Sequence, residues 1–159
     1  MKYIFLDIDG VLATDDCYSK SKFKIDFVNM PYPWDKDAVE SLARIILQTD
    51  CKIVISSDWR LHYNTNEISA MFKYYNIPSE NDRIVGMTES HKKYSESYWE
   101  ARVRQIEQYV ATNLKPEDSW IAVDDMPLWK NNDRFVQILE TDKGISSVET
   151  IIIEKLNKI

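Results

Sequence analysis

Three short apolar runs of this chain, Tyr3 to Leu6, Lys52 to Ile55 and Trp120 to Val123, each break off into polar residues: Asp7-x-Asp9, Ser56-Ser57 and Asp124-Asp125. A near-continuous apolar run of this length is how a strand buried on both faces reads. Helical patterns lie between the runs, and strand, helix, strand connections imply parallel pairing. Adjacent parallel strands deliver their carboxyl ends to one edge of the sheet, where open α/β sheets bind their ligands. The pattern predicts a three-layer α/β/α sandwich with a mainly parallel central sheet, its strand-end residues converging on one crevice.

The intervening segments fit that plan. Asp35 can cap a helix carrying Val39, Leu42 and Ile46 on one face. Residues Thr65 to Tyr75 place Ile68, Met71, Phe72 and Tyr75 at helical spacing, and Pro78 lies beyond the end. A short Ile84-Val85 strand follows, then a capping-box pair, Ser97 and Glu100, opens a helix with Trp99, Val103, Ile106 and Val110 as its apolar stripe. Phe135 to Leu139 reads as a further strand leading to Gly144, and a Ser146-x-x-Glu149 box as the start of a closing helix with Val148, Ile151, Ile152 and Leu156 facing the core. Between the first two runs, Phe23, Ile25 and Phe27 alternate with Lys22, Lys24 and Asp26, which predicts one arm of a β-hairpin, closed by Pro31 and Pro33. With no repeat, low-complexity tract or linker, residues 1–159 are expected to form a single domain, with 13–34 as a flap.

Composition narrows the class of function. A net charge of −6 argues against a broad basic face that grips nucleic acid, since such binding draws its affinity from Lys and Arg neutralising phosphates, so no stable nucleic-acid complex is expected. Cys17 and Cys51 sit in no metal-ligand spacing and are too few for a disulfide framework, so both read as free thiols of a reducing compartment, the cytoplasm. The start MKYIFLDIDG lacks the cleavage region of a signal peptide, and no apolar run reaches the ~20 residues that span a bilayer; neither export nor membrane insertion is expected.

The strand ends carry the chemistry. Four carboxylates, Asp7, Asp9, Asp124 and Asp125, repel one another once gathered, and hard oxygen ligands of this kind suit Mg²⁺, which keeps several waters and takes one or two carboxylates plus a phosphate oxygen. Asp is an ordinary turn residue at any one strand end. Three strand ends that are polar together point to a site. Gly10 fits a tight turn that lets backbone N–H groups approach a phosphate.

At these residues the sequence resembles the haloacid dehalogenase-like hydrolase superfamily. Phe5-Leu-Asp7-Ile-Asp9-Gly10-Val11 is similar to its first motif, Ile53-Val-Ile-Ser56 to the second and Ile121-Ala-Val-Asp124-Asp125 to the fourth, so the resemblance covers nearly the whole chain. It implies a Rossmann-like sheet and, because the position two after the nucleophile is Asp, phosphate chemistry with a magnesium cofactor. Asp7 would attack phosphorus to give an aspartyl-phosphate, with Mg²⁺ quenching the repulsion between two anions. Asp9 would protonate the leaving oxygen and then deprotonate the hydrolytic water. Ser56, or Ser57 if the strand ends one residue later, would hydrogen-bond the phosphoryl group, and Asp7, Asp9, Asp124 and Asp125 form the candidate metal set. The third motif needs a basic residue to balance phosphoryl charge. Arg102 is the first choice, with Lys93 and Arg104 competing.

Arg102-x-x-x-Ile106-x-x-Tyr109-Val110, the Trp59-Arg60 pair and Thr141-x-x-Gly144-Ile145 resemble a subgroup, the phosphatase-like domains of Swiss Army Knife RNA-repair-like proteins. The span between the first two motifs holds only a hairpin-like flap and the later span lacks room for a full domain, so a capless phosphatase is implied, with a nucleotide or phosphorylated nucleic-acid end as the favoured substrate. A small metabolite or a phosphoprotein is the alternative within the enzyme class. A phosphotransferase and a catalytically silent phosphate-binding module also stay open, as does the oligomeric state. His62 and His91 lack spaced partners and receive no role. Trp99 and Tyr75 fall at core spacing, whereas Trp34, Trp59 and Trp129 lie near the active edge as candidate substrate contacts. Lys20, Lys22 and Lys24 can either attract a phosphorylated substrate or line a solvated strand face.

Overall fold

The computed structural model of the chain describes residues 1–19, 33–80, 82–128 and 133–158. Among these, five strands form one sheet: β1 (Lys2–Leu6), β2 (Lys52–Ile55), β3 (Ile84–Met87), β4 (Ser119–Asp124) and β5 (Phe135–Gln137). Their order is β3-β2-β1-β4-β5, and every pairing is parallel. β1 is central, with Phe5 in register with Val54 of β2 and with Ala122 of β4. The chain steps outward from β1 through β2 to β3, then crosses back to β4 and β5, so the order reverses between β1 and β4. Crevices outside the carboxyl ends of strands open at such switch points.

Both faces of the sheet are covered, which is why its strands read as unbroken apolar runs rather than alternating ones. On one face Ile4, Leu6, Ile53, Ile55, Ile121 and Val123 pack with residues of α2 (Lys36–Thr49), α3 (Thr65–Tyr74) and α5 (Glu149–Lys158). On the other, Tyr3, Phe5, Val54 and Ala122 meet Ile106 of α4 (Tyr98–Asn113). α4 is the crossover from β3 to β4, so the helix that returns the chain across the sheet also covers that face.

Local signals set the helix starts. Asp35 accepts from the Ala38 amide at the start of α2. Asn64 and Glu67 close a capping box on α3, and Ser97 and Glu100 close the expected one on α4. The Asp35 amide also donates to the Leu12 carbonyl at 2.7 Å, tying the start of α2 to the loop after β1.

The structure corrects the sequence at several points. The closing helix has no Ser146 box: Gly144–Val148 form a 3-10 turn, the Ser146 hydroxyl donates to the Lys143 carbonyl, and α5 begins at Glu149. The Glu149 carboxylate reaches Ser41 and Arg44 of α2 instead. Ile151 is exposed while Ile152 and Leu156 are buried, because neighbours on a helix cannot both face one core. The strand at Phe135 stops at Gln137, leaving Leu139 exposed.

Trp34, placed at the active edge by sequence, lies in the core, stacked on Tyr75 with ring centroids 5.2 Å apart. Trp99, placed in the core, is 45% exposed in the first turn of α4. Within the expected flap, residues Asp15–Ser19 form a short helix, α1. The alternating stretch from Lys20 through Lys22, Phe23, Lys24, Ile25, Asp26 and Phe27 to Pro31, and also Trp129, lie outside the described residues.

Candidate active site

The carboxyl edge of the sheet gathers the residues that the strand ends announced. Asp7 follows β1 directly, 5% exposed, its amide donating to the Val123 carbonyl of β4 at 3.0 Å. Asp124 closes β4, also buried, and Asp125 is the next residue. Asp7, Asp124 and Asp125 each offer a carboxylate oxygen within 4.8 Å of the others, an arrangement that can hold a metal ion. Burial, and then the Asp7 charge, push the Asp124 carboxyl well above the usual carboxylate range, although Arg102 pulls it back. Burial and Asp7 raise Asp125 as well. In both, removal from water is the larger cause and the neighbouring Asp7 charge the smaller.

Arg102 enters this cluster from the second turn of α4. It is 5% exposed, with Nη1 2.7 Å from Asp124 Oδ2 and 3.4 Å from Asp7 Oδ1, and Nη2 3.2 Å from Asp58 Oδ1. Burial would lower its pKa, but Asp7, Asp124 and Asp58 outweigh that effect and raise it, so the guanidinium is charged. Arg104 and Lys93 lie elsewhere. Arg104 pairs with Glu89 and Glu96, and Lys93 is exposed, with its amide donating to Glu96.

Asp9 is not in the three-carboxylate group. Its exposed carboxylate is held to one side by Trp59, whose Nε1 lies 3.1 Å from each Asp9 oxygen. Partial burial raises the Asp9 pKa, opposed by the Trp59 hydrogen bond and reinforced by Asp7 and Asp58. Trp59 itself is buried, in ring contact with Trp34 and Tyr63, so a core residue fixes the direction of a rim carboxylate.

The two serines after β2 differ in what they bond. Ser57 Oγ accepts from the Trp59 amide and caps the 3-10 turn Asp58–Leu61. Ser56 Oγ is buried and has no hydrogen-bond partner among the described residues. Leaving a buried hydroxyl unsatisfied costs about 1–3 kcal/mol, so this atom is open to a ligand acceptor.

Gly10 adopts φ +70°, and a Cβ there would lie 2.6 Å from Asp125 Oδ2. Its own N–H donates to the Ala13 carbonyl at 2.8 Å, so the glycine contributes the turn and the close approach of Asp125. Gly144, at φ +58°, would place a Cβ 2.2 Å from the Val11 carbonyl oxygen, and the Ile145 amide donates to that carbonyl. The loop after β1 is thus braced from both ends.

Two contributors were not singled out from sequence. Asp58 receives both Arg102 and Arg60, and Gln105 Oε1 accepts from Arg60 Nη2 at 2.9 Å. Arg60 also donates to the Ser56 carbonyl at 2.5 Å and the Glu89 carbonyl at 3.2 Å, so it anchors the turn after β2 to its surroundings. Burial and Arg102 lower its pKa. A signal existed for each: Asp58 directly follows the strand-end serines, and Gln105 lies three residues after Arg102, on the same helical face. Asp7, Asp9, Asp58, Arg60, Arg102 and Asp125 all line one cleft of about 610 Å³.

A parallel sheet that reverses beside its central strand, with an Asp-x-Asp-Gly loop after that strand and carboxylates after its neighbour, defines a haloacid dehalogenase-like (HAD) hydrolase domain. A family model described as the HAD domain in Swiss Army Knife RNA repair proteins matches residues 3–149, and the chain belongs to that family. No curated protein and no solved structure matches it. None of the described helices is long and apolar enough to cross a membrane.

Proposed function

We propose that this chain is a Mg²⁺-dependent phosphomonoester hydrolase that works through an aspartyl-phosphate on Asp7. The observation that carries the proposal is the cluster of buried Asp7 and Asp124 with half-buried Asp125, Arg102 among them, at the switch point of the sheet. One guanidinium is in contact with two of the three clustered carboxylates; burial first, and then the Asp7 charge, raise the pKa values of Asp124 and Asp125. An all-oxygen donor set of this charge fits Mg²⁺. Asp7, Asp124 and Asp125 are the residues that would hold the ion. When bound, it would neutralise charge on the phosphoryl oxygens and let an anionic nucleophile approach.

The side chains then divide the work. An Asp7 oxygen attacks phosphorus while the bond to the leaving oxygen breaks, its electron pair going to that oxygen. Asp9 gives the leaving oxygen a proton, and its raised pKa keeps that proton available to higher pH than an ordinary Asp would. Asp9 next takes a proton from water, whose oxygen attacks phosphorus and releases phosphate from Asp7. Ser56, with its unpartnered hydroxyl, binds the phosphoryl group in preference to Ser57, whose oxygen serves as a cap. Arg102 balances phosphoryl charge. We read the site as uncapped and cytoplasmic, and the family's description supports a nucleotide or phosphorylated nucleic-acid end as substrate.

The test is phosphate release over mononucleotides, sugar phosphates, phosphopeptides and end-phosphorylated oligonucleotides, with Mg²⁺ and with chelator. Asp7→Asn, nearly isosteric, is expected to abolish Mg²⁺-dependent release from every substrate the unaltered chain turns over. Unchanged turnover in that variant would sink the proposal.

A further inference from the structure

The cleft continues past the carboxylates to a wall that the chemistry above does not use. α4 opens with two aromatic residues, Tyr98 and Trp99, that are 71% and 45% exposed, and both line the same cleft as Asp7 and Arg102. Lys92, on the loop before the helix, lines the cleft too and holds its ammonium 5.4 Å from the centre of the Tyr98 ring. Further along α4, side chains such as Ile106 are buried against the sheet. α4 follows β3, so its first turn lies at the carboxyl edge of the sheet, and there the Tyr98 and Trp99 side chains line the cleft instead.

We propose that Tyr98 and Trp99 form a stacking subsite for the nucleobase of a nucleoside monophosphate unit whose phosphate is attacked by Asp7. This rests on the phosphohydrolase reading and names the side chains that hold its substrate's base. Three features select a base. A phosphoryl group fills only a small part of a cleft of about 610 Å³, so the leaving group has room inside it. The two rings offer broad π-faces next to the phosphate site, and base stacking on such rings tolerates any sequence. Lys92 places positive charge at the rim of an otherwise acidic chain, where a neighbouring phosphate of a nucleic-acid end would lie. The unit can come from a free nucleotide or from the terminus of a chain.

The test compares kcat/KM, with Mg²⁺, on adenosine 5′-monophosphate, a 5′-phosphorylated tetranucleotide, ribose 5-phosphate and a phosphotyrosyl peptide. The two base-bearing substrates separate the free nucleotide from the chain end. At least one of them is expected to exceed ribose 5-phosphate, and Trp99→Ala is expected to lower that advantage roughly 5-fold to 150-fold, the range that stacking on one base supplies. Trp99→Phe, which keeps a ring, should retain most of the advantage. Equal loss on ribose 5-phosphate, or no advantage for a base, overturns the subsite. A Trp99-dependent preference for the phosphotyrosyl peptide overturns it in favour of a protein substrate. Titration calorimetry of adenosine 5′-monophosphate into Asp7→Asn, with and without Trp99→Ala, reads the subsite without turnover. Weaker binding in the double variant, alongside no phosphate release by the unaltered chain, would leave the subsite standing and remove the hydrolase reading.

Discussion

Replacing Arg102 by Met keeps an unbranched apolar stem in the second turn of α4 but deletes the guanidinium that contacts Asp7, Asp124 and Asp58. The side chains of Arg102, Asp7 and Asp124 are only 6%, 7% and 2% exposed, so solvent does little to screen them. Breaking a buried pair by removing one partner costs about 3–5 kcal/mol, because the remaining charges stay buried. For a chain of this size each kcal/mol is worth about 2–4 °C in Tm, so the metal-free variant should melt roughly 6–20 °C lower at neutral pH. The deficit has a characteristic pH dependence. Asp124 is already more readily protonated in the folded chain than in the unfolded one, so its charge costs stability increasingly as pH rises above about 3.9 through the raised folded value. Arg102 is what limits that cost, so the gap between variant and parent should narrow as the pH falls towards 4. Mg²⁺ should restore part of the loss at neutral pH by supplying the missing positive charge. Thermal and urea unfolding with chelator and with Mg²⁺ at several pH values measure all three. If the variant stays within about 1 kcal/mol of the parent in chelator at neutral pH, Arg102 serves only as packing and the electrostatic account of the cluster is wrong.

Two further outcomes follow from single positions. Gly10→Ala forces φ +70° on an L-residue, at a cost of about 1–2 kcal/mol, and pushes its methyl into Asp125, so the Kd for Mg²⁺ measured by calorimetry should rise about 10-fold or more; unaltered Mg²⁺ affinity would contradict the close approach. Arg44, with Ser41, holds the Glu149 carboxyl below the usual range, which adds stability above about pH 4.3 that disappears as pH falls through the lower folded value. Arg44→Gln should therefore cost less than about 1 kcal/mol at pH 7, the pair being partly exposed, and nothing once Glu149 is protonated; an equal deficit at both pH values would refute the assignment.

The three inner strands β2, β1 and β4 were the most legible part because they are buried on both faces and end at polar residues. Lys52–Ile55 has the expected bounds, and Tyr3 to Leu6 and Trp120 to Val123 extend by one or two residues. Parallel pairing then follows from the helices between, and it brings Asp7 and Asp124 together without further information. What failed was what depends on tertiary contacts that no local pattern records. Trp99 has the spacing of a core residue, yet periodicity sets which side of a helix a residue lies on and not whether sheet lies beneath it. The Ser146 box failed because Glu149 has stronger partners in Arg44 and Ser41, which no local pattern records. Arg102, Arg104 and Lys93 look alike in sequence; only the rotation of α4 over β4 directs Arg102 to the carboxylates and Arg104 to Glu89 and Glu96. The bond from Trp59 to Asp9 joins a core residue to the rim across a separation of 50 residues, and no spacing rule reaches that far.

The claim that Asp7 becomes phosphorylated is tested most directly by quenching a turnover mixture in acid and mapping the modified peptide by mass spectrometry. The account predicts a phosphoryl group on Asp7 that forms only with Mg²⁺ and accumulates when Asp9→Asn slows its hydrolysis. Mg²⁺-dependent phosphate release with no adduct on Asp7 in either form, or with the adduct on another residue, would contradict it.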